Sequence, residues 1–260
     1  MLQPMQRSWI QRPSVISALC APIIDSAVER GGNREDLMGR FGLTAASIAD
    51  LDHRVPITEL LAGWTGAMQQ TRAPDLPILV GKKATLALYG SLGYAIYTSR
   101  SSEESLQRLC RYHDVINNTG RWRIEVTGGR LRMLWRRDGE RTLGMRAANE
   151  QLVASFATVA RQTVGDATTF EEITYTHARP TDTSAHEAHF VCPIRWDALE
   201  DSLNLPASFL ALVPFGANKL LSSHFLEATD VLLARVPPLD GEVTVGDAPE
   251  PRRARVGASG

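Results

Sequence analysis

Two short segments on either side of a Gly-Gly pair constrain the fold of this chain more than any other feature. Apolar residues alternate with charged or polar ones in both segments: Trp122, Ile124, Val126, Leu131, Met133 and Trp135. A period of two is the spacing of a strand with one buried face, and Gly128-Gly129 suits a hairpin turn. The pattern predicts a β-hairpin. A lone hairpin is only marginally stable in water, so other elements have to cover its apolar face.

Helical periodicity fills most of the chain before the hairpin and returns directly after it. Apolar residues at spacings of three and four predict helices over 14–30, from Pro56 onwards and over 147–164. Further strand-like runs and a closing helix follow at 171–176, 188–194, 203–205 and 217–236. We therefore predict an α+β fold, with a helical N-terminal half and a small antiparallel sheet (hairpin, helix, two strands) covered by helices.

The charge of the chain is almost balanced, with 28 basic and 29 acidic residues and a formal net charge of −1. Such a balance produces no long-range field that attracts nucleic acid. Six arginines form a basic face on and around the hairpin: Arg121, Arg123, Arg130, Arg132, Arg136 and Arg137. A solvated sheet face is the favoured interpretation, because no aromatic side chain is interleaved for stacking on bases. A nucleic-acid surface is the alternative.

The N-terminal residues and the cysteines bear on cellular location. Residues 1–13 carry no apolar run with a cleavage site, and no uninterrupted apolar stretch approaches the roughly 20 residues of a membrane span. Cys20, Cys110 and Cys192 are widely separated and form no CxxC pair. These features predict a soluble, cytoplasmic protein with free thiols.

Few residues in the chain suggest catalysis. His186 and His189 are the pair that a metal site would use, but their segment is predicted to be loop followed by strand, where residues three apart lie on opposite faces. Cys192 has no neighbour that predicts a lowered pKa, apart from Arg195. We predict no catalytic residue, no metal and no cofactor. A metal-dependent enzyme at the two histidines is the least favoured alternative.

Several short segments follow one another in a characteristic order. They are Leu92-Gly93-Tyr94-Ala95, Arg111-Tyr112-His113, Tyr175-Thr176-His177-Ala178-Arg179-Pro180, Phe190-Val191-Cys192-Pro193-Ile194-Arg195-Trp196 and Leu203-Asn204-Leu205-Pro206. In this order and spacing they resemble the N-terminal effector-binding, arabinose-binding-like domain of AraC/XylS-type transcription regulators. That branch includes regulators that respond to amino acids such as arginine or ornithine.

The resemblance implies a domain that binds a small molecule, forms a homodimer and relays its state to helix-turn-helix motifs. It divides the chain into an N-terminal helical segment (1–55), a ligand-binding and dimerisation domain (56–236) and a tail (237–260), whose composition predicts disorder. No amphipathic helix pair follows Pro237-Pro238. We therefore expect this chain to lack its own DNA-binding domain, to make no direct contact with DNA and to have no membrane partner. A dimerisation decoy of a full-length regulator is the alternative function.

The ligand pocket of such a domain is expected between the apolar face of the sheet and the helices, with a few polar anchors. The candidate ligand-binding residues are Tyr94, His113, His177 and Arg195. The guanidinium of Arg195 suits a ligand carboxylate, because it binds one bidentately. The small-molecule effector is accordingly expected to be an amino acid or another carboxylate. Each of the four residues also has a purely structural interpretation, as a satisfied core group or a surface ion-pair partner.

Overall fold

The computed structural model describes residues 12–50 and 52–236. Its helices are α1 (Ala21–Val28), α2 (Arg34–Arg40), α3 (Ala45–Ala49), α4 (Ile57–Thr71), α5 (Leu76–Lys82), α6 (Gly90–Tyr97), α7 (Ser102–Tyr112), α8 (Leu143–Val164), α9 (Ser184–Phe190) and α10 (Lys219–Leu233). Its strands are β1 (Ser14–Ile16), β2 (Arg54–Pro56), β3 (Arg121–Thr127), β4 (Arg130–Arg136), β5 (Glu172–Thr174), β6 (Ile194–Arg195) and β7 (Asp201–Pro206). The predicted α+β class is confirmed. The tail over 237–260 lies outside the described residues.

The predicted hairpin is present and forms one edge of the main sheet. Strands β3 and β4 pair antiparallel, with Thr127 opposite Arg130. Gly128 and Gly129 have φ values of 60° and 80°, and a two-residue turn of this kind needs positive φ at both positions. The strand order is β3-β4-β7-β5-β6. The β5–β6 pairing is parallel, and the other pairings in this sheet are antiparallel.

The strand predicted over 188–194 is wrong, because helix α9 runs to Phe190 and only Ile194 of that segment lies in a strand. The backbone N–H of Ser184 donates to Oδ1 of Asp182 at the start of the helix, and Phe190 is buried at its end. Val191 then adopts a φ of 56°, which ends the helix. Strand β6 is therefore only two residues long. The N-terminal half also contains the short β1–β2 ribbon, which the helical prediction missed.

Helix α8 connects the two largest apolar clusters of the fold. Its first turns contribute Ala147 and Ala148 to a cluster of the N-terminal helices, which also contains Trp64. Its later turns contribute Ala157 and Ala160 to a second cluster that covers the apolar face of the sheet. A third, smaller cluster is formed by Leu92, Tyr112, Val115 and Ile116. The sheet is thus covered by a helix, as the hairpin pattern required.

The N-terminal segment packs in the same cluster as helix α4. Val15 of β1 and Ile23 of α1 are buried together with Leu60 and Trp64. The boundary between residues 55 and 56 remains a prediction. Within residues 12–50 and 52–236, no helix has both the length and the apolar character needed to cross a bilayer.

The basic face of the hairpin is largely neutralised by glutamates. Arg123 lies 3.0 Å from Glu125 and 3.2 Å from Glu200, and Arg132 lies 3.1 Å from Glu125. Ion pairs of this type leave little positive charge for phosphate contacts. The arrangement therefore supports the interpretation as a solvated sheet face.

Candidate functional site

A mostly apolar cavity of about 100 Å³ lies where the three apolar clusters meet. The clusters contribute wall residues from β1, α4, α6, α7 and α8: Val15, Trp64, Leu92, Leu106, Ala148 and Ala160. One water molecule needs roughly 10–15 Å³ of such space. The cavity therefore has room for several waters or for a small organic molecule.

The imidazole and the guanidinium of the cavity wall come from one region, between the end of α7 and the end of β4, whereas α7 and α8 add neutral polar side chains such as Gln151 and Ser155. His113 follows α7, Asn117 lies four residues later, and Arg137 directly follows β4. Ser102 lines the wall at the start of α7. Among the described residues that line the cavity, none is an aspartate or a glutamate.

Arg137 is held by neutral oxygen atoms. Its Nε donates to Oγ1 of Thr119 at 3.1 Å, and its Nη1 donates to Oδ1 of Asn149 at 2.6 Å. The guanidinium also lies over the ring of Trp135, 5.2 Å from the ring centroid. Asp201 is reached only through the Asn149 amide, which donates to it at 2.7 Å. Burial lowers the pKa of Arg137 to about 10, with Asp201 acting in the opposite direction, so the group stays charged at neutral pH.

His113 is only 4% exposed and presents its ring to Trp135, with 5.2 Å between the ring centroids. Burial, reinforced by the charges of Arg137 and Arg121, lowers the pKa of His113 to about 3. The imidazole is therefore neutral at physiological pH. Its Nδ1 atom is buried and has no hydrogen-bond partner in the described part of the chain.

Two other cavity-lining residues carry unpartnered polar atoms, again within the described ranges. They are Nε1 of Trp64 and Oγ of Ser102. A buried polar atom without a partner costs about 1–3 kcal/mol, and folded proteins contain few of them. Three such atoms on residues of one cavity wall therefore mark the cavity as a candidate binding site.

A second polar cluster surrounds Glu150, whose side chain is fully buried. His177 Nε2 lies 3.1 Å and His186 Nε2 lies 3.3 Å from its carboxylate oxygens, and Arg146 Nε donates to it at 2.9 Å. Burial alone would raise the pKa of Glu150. The two histidines and the charge of Arg146 outweigh that effect and lower the pKa to about 2. Trp196 packs on both imidazole rings.

The structure does not bring the four predicted ligand-binding residues together. His113 lines the cavity, whereas the other three do not. Tyr94 is exposed and stacks on Phe225. His177 belongs to the Glu150 cluster, and Arg195 forms a surface ion pair with Glu172 at 3.3 Å.

His186 and His189 both lie on α9, so the assumption of loop and strand was wrong for them. Their side chains have different partners. His186 contacts Glu150, and Nε2 of His189 lies 3.0 Å from the Ala154 carbonyl oxygen. Within the described ranges, no group of three or more histidine, cysteine, aspartate or glutamate side chains is arranged to hold a metal ion.

Comparison with known proteins places most of the chain in a family. Residues 31–213 match the family described as the arabinose-binding domain of AraC transcription regulator, N-term. The chain belongs to this family. The matched range includes Trp64, His113 and Arg137, together with Glu150 and its histidine partners.

One solved structure has a similar fold. It is the crystal structure of the transcriptional regulator CdpR from Pseudomonas aeruginosa, with a TM-score of 0.60 and 14% sequence identity. The alignment covers 84% of this chain and 65% of the CdpR chain. No curated protein matches the chain in the corresponding sequence comparison.

Two residues at the centre of these polar clusters, Arg137 and Glu150, were missed by sequence reasoning. Arg137 was grouped with the basic hairpin face, but it follows the end of β4 and its side chain turns back over Trp135. A signal was available, because Arg136 and Arg137 are adjacent and two adjacent strand residues cannot share a face. Glu150 lies in a helical stretch whose apolar periodicity gave no reason to expect a buried carboxylate.

Proposed function

We propose that this chain is the small-molecule-sensing and self-associating domain of an AraC-type transcription regulator, and that it is not an enzyme. Its membership of the arabinose-binding family supports a regulatory role. The observation that carries the proposal is the mostly apolar cavity whose wall residues hold three unpartnered polar atoms. Sites for small molecules are typically concave, apolar and equipped with a few polar groups.

The position of the cavity also suits a sensor. A ligand there would contact α4, α6, α7 and α8 at once. Its binding energy would therefore favour one packing arrangement of these helices over another. A ligand shifts a conformational equilibrium only by its difference in affinity for the two states. A cavity at the junction of three clusters would differ in ligand affinity between two states, because any change in the packing of the clusters alters the cavity wall.

Filling the cavity should abolish ligand binding without unfolding the protein. The substitution Ala160→Leu places three additional carbons in the cavity wall, where there is space for them. In a thermal-shift screen of amino acids and small organic acids, the wild type should be stabilised by at least one compound, since a ligand that binds the folded state raises Tm. The Ala160→Leu variant should show no such shift.

The matched control is Ala188→Leu, the same substitution at an exposed position on α9. It should respond to the ligand as the wild type does. A flat response of the wild type across the whole screen would refute the sensing proposal. So would an undiminished response of the Ala160→Leu variant, because the ligand would then bind elsewhere.

Self-association is proposed to use the exposed face of α10. Leu220 is 81% exposed and Val231 is 55% exposed, and their separation of eleven residues places them on the same side of the helix. His224 and Glu227 are exposed between them on the same side, so the proposed contact would combine apolar ends with a polar centre.

The double substitution L220E/V231E is expected to convert a dimer into a monomer in sedimentation velocity experiments. Two charges buried in a symmetric contact face their own copies and repel them. The control L199E introduces the same charge at an exposed leucine before β7 and should leave the dimer intact. A monomeric wild type at micromolar concentration would contradict this part of the proposal.

A further inference from the structure

We propose that the ligand of the cavity is a small apolar monocarboxylate, whose carboxylate pairs with Arg137 and whose hydrocarbon part fills the space between α4, α7 and α8. This inference rests on the proposed sensing function and adds the chemical class of the ligand. It is carried by the charges and hydrogen-bonding groups of the cavity wall.

The charges of the cavity wall favour an anionic ligand. Arg137 is the charged side chain of the described cavity wall, and no acidic residue lines the wall with it. Its guanidinium donates hydrogen bonds to the neutral oxygens of Thr119 and Asn149. A buried charge without an adjacent counter-charge is costly, and a ligand carboxylate would supply one. The lowered pKa of Arg137 reflects this incompletely compensated burial.

Several groups of the cavity wall can donate hydrogen bonds, and two of them, on Trp64 and Ser102, have no partner among the described residues. Nε1 of Trp64 can only donate a hydrogen bond, and the guanidinium of Arg137 likewise carries only donors. The Ser102 hydroxyl is also able to donate. A carboxylate carries two oxygens that accept and none that donate, so it complements such a wall.

The wall does not suit the basic amino acids that the family resemblance suggested. The ammonium and side-chain cation of arginine or ornithine would need carboxylates to balance their charges. The described wall offers no acidic side chain, and its amide and hydroxyl groups, such as those of Asn117, Gln151 and Ser155, are neutral. Burying a cation there without a partner would cost several kcal/mol. The remaining wall is mostly aliphatic and aromatic, which suits a hydrocarbon group.

The test compares acids with amides of the same shape. Hexanoate and benzoate are titrated at pH 7.5 by calorimetry, alongside hexanamide, benzamide and L-ornithine. The wild type should bind each acid roughly 10-fold more tightly than its amide, as expected for replacing a neutral by a charge-assisted hydrogen bond. L-ornithine should bind more weakly than either acid.

Substitutions of Arg137 test whether this residue causes the preference for acids over amides. R137Q should bind acid and amide with similar affinity, and R137K, which keeps the charge, should retain a preference for the acid. The matched control is R136Q, which removes the same charge from the neighbouring side chain, 82% exposed, and should leave the preference unchanged. Circular dichroism confirms that each variant is folded. If R137Q is not, R137K decides instead: its preference for the acid should be smaller than that of the wild type, because lysine cannot bind a carboxylate bidentately, and an unchanged preference would refute the role of Arg137.

The possible outcomes separate this inference from the proposed function. If acid and amide bind the wild type equally, or if amides or L-ornithine bind and the acids do not, the carboxylate inference is wrong while the sensing function stands. A preference for acids that survives in R137Q also refutes the role of Arg137. If neither these compounds nor any member of the thermal-shift screen binds, the sensing function itself fails.

Discussion

Replacement of Glu150 by glutamine is expected to lower the free energy of unfolding by about 3–5 kcal/mol, the usual cost of removing one partner from a buried ion pair. The side chain is fully buried and lies within 3.3 Å of two imidazoles and within 2.9 Å of Arg146. Glutamine keeps the shape but removes the charge. Arg146, whose side chain is mostly buried, would then lose its counter-charge.

Urea denaturation at pH 7 measures this effect, with Glu187→Gln as the control. Glu187 also contacts an arginine, Arg179, at 3.4 Å, but both side chains are largely exposed. Exposed pairs contribute about 0–1 kcal/mol, so the control should stay within that range. Equal destabilisation by the two substitutions would show that the Glu150 cluster does not hold the fold as described.

Acid should destabilise the protein at pH values well above those at which most carboxylates titrate. His113 and His189 are both buried, and burial is the main cause that lowers their pKa values, to about 3 and about 4. An unfolded histidine has a pKa of about 6.5. Below pH 6.5 the unfolded chain therefore takes up protons at these positions and the folded chain does not.

The sign of the effect follows from this difference. The free energy of unfolding is highest above pH 6.5, where both states hold these imidazoles neutral. It falls as the pH approaches the pKa values that the two histidines have in the folded protein. Between pH 6.5 and 4.5 each of the two histidines contributes a slope of up to about 1.4 kcal/mol per pH unit. Together they should lower the free energy of unfolding by about 5 kcal/mol over this interval. Glu150 adds its own loss only below its unfolded pKa of about 4.3, because its folded pKa is about 2.

Substitutions test whether these two histidines cause the pH dependence of the free energy of unfolding. H113Q and H189Q should each reduce the pH dependence by about 1.4 kcal/mol per unit, measured by urea denaturation between pH 6.5 and 4.5. H224Q, at an exposed position on α10, is the matched control. A free energy of unfolding that stays constant over this interval would rule out neutral, buried imidazoles at both positions.

Local patterns in the sequence were sufficient for much of the fold. The hairpin was predicted correctly because its period and its Gly-Gly turn both depend on adjacent residues. The segment 188–194 was assigned wrongly because Phe190-Val191-Cys192 is apolar and β-branched in part, and such a short run does not distinguish a strand from a buried helix. The helix is favoured because it buries His186, His189 and Phe190 in the fold.

The site was harder to predict, because its residues are distant in sequence. His113 was one of the four predicted anchors, and it lines the cavity. Arg137 was not, because its burial depends on Thr119 and Asn149, which reach it from a loop and from α8. Arg195 was chosen for its chemistry, but a position on a two-residue strand next to Glu172 places it at the surface. Residue type indicates what a side chain can bind, whereas only the fold decides what it faces.

The meeting of three apolar clusters at one cavity has a consequence for how the domain unfolds. The cavity separates the clusters at their junction and limits direct contacts between them, so each can open with some independence of the others. An occupant touching all three would restore those contacts and penalise partial opening. The occupied domain should therefore melt in a sharper, more nearly single transition, and amide hydrogens of α4, α7 and α8 should slow in exchange to a common rate.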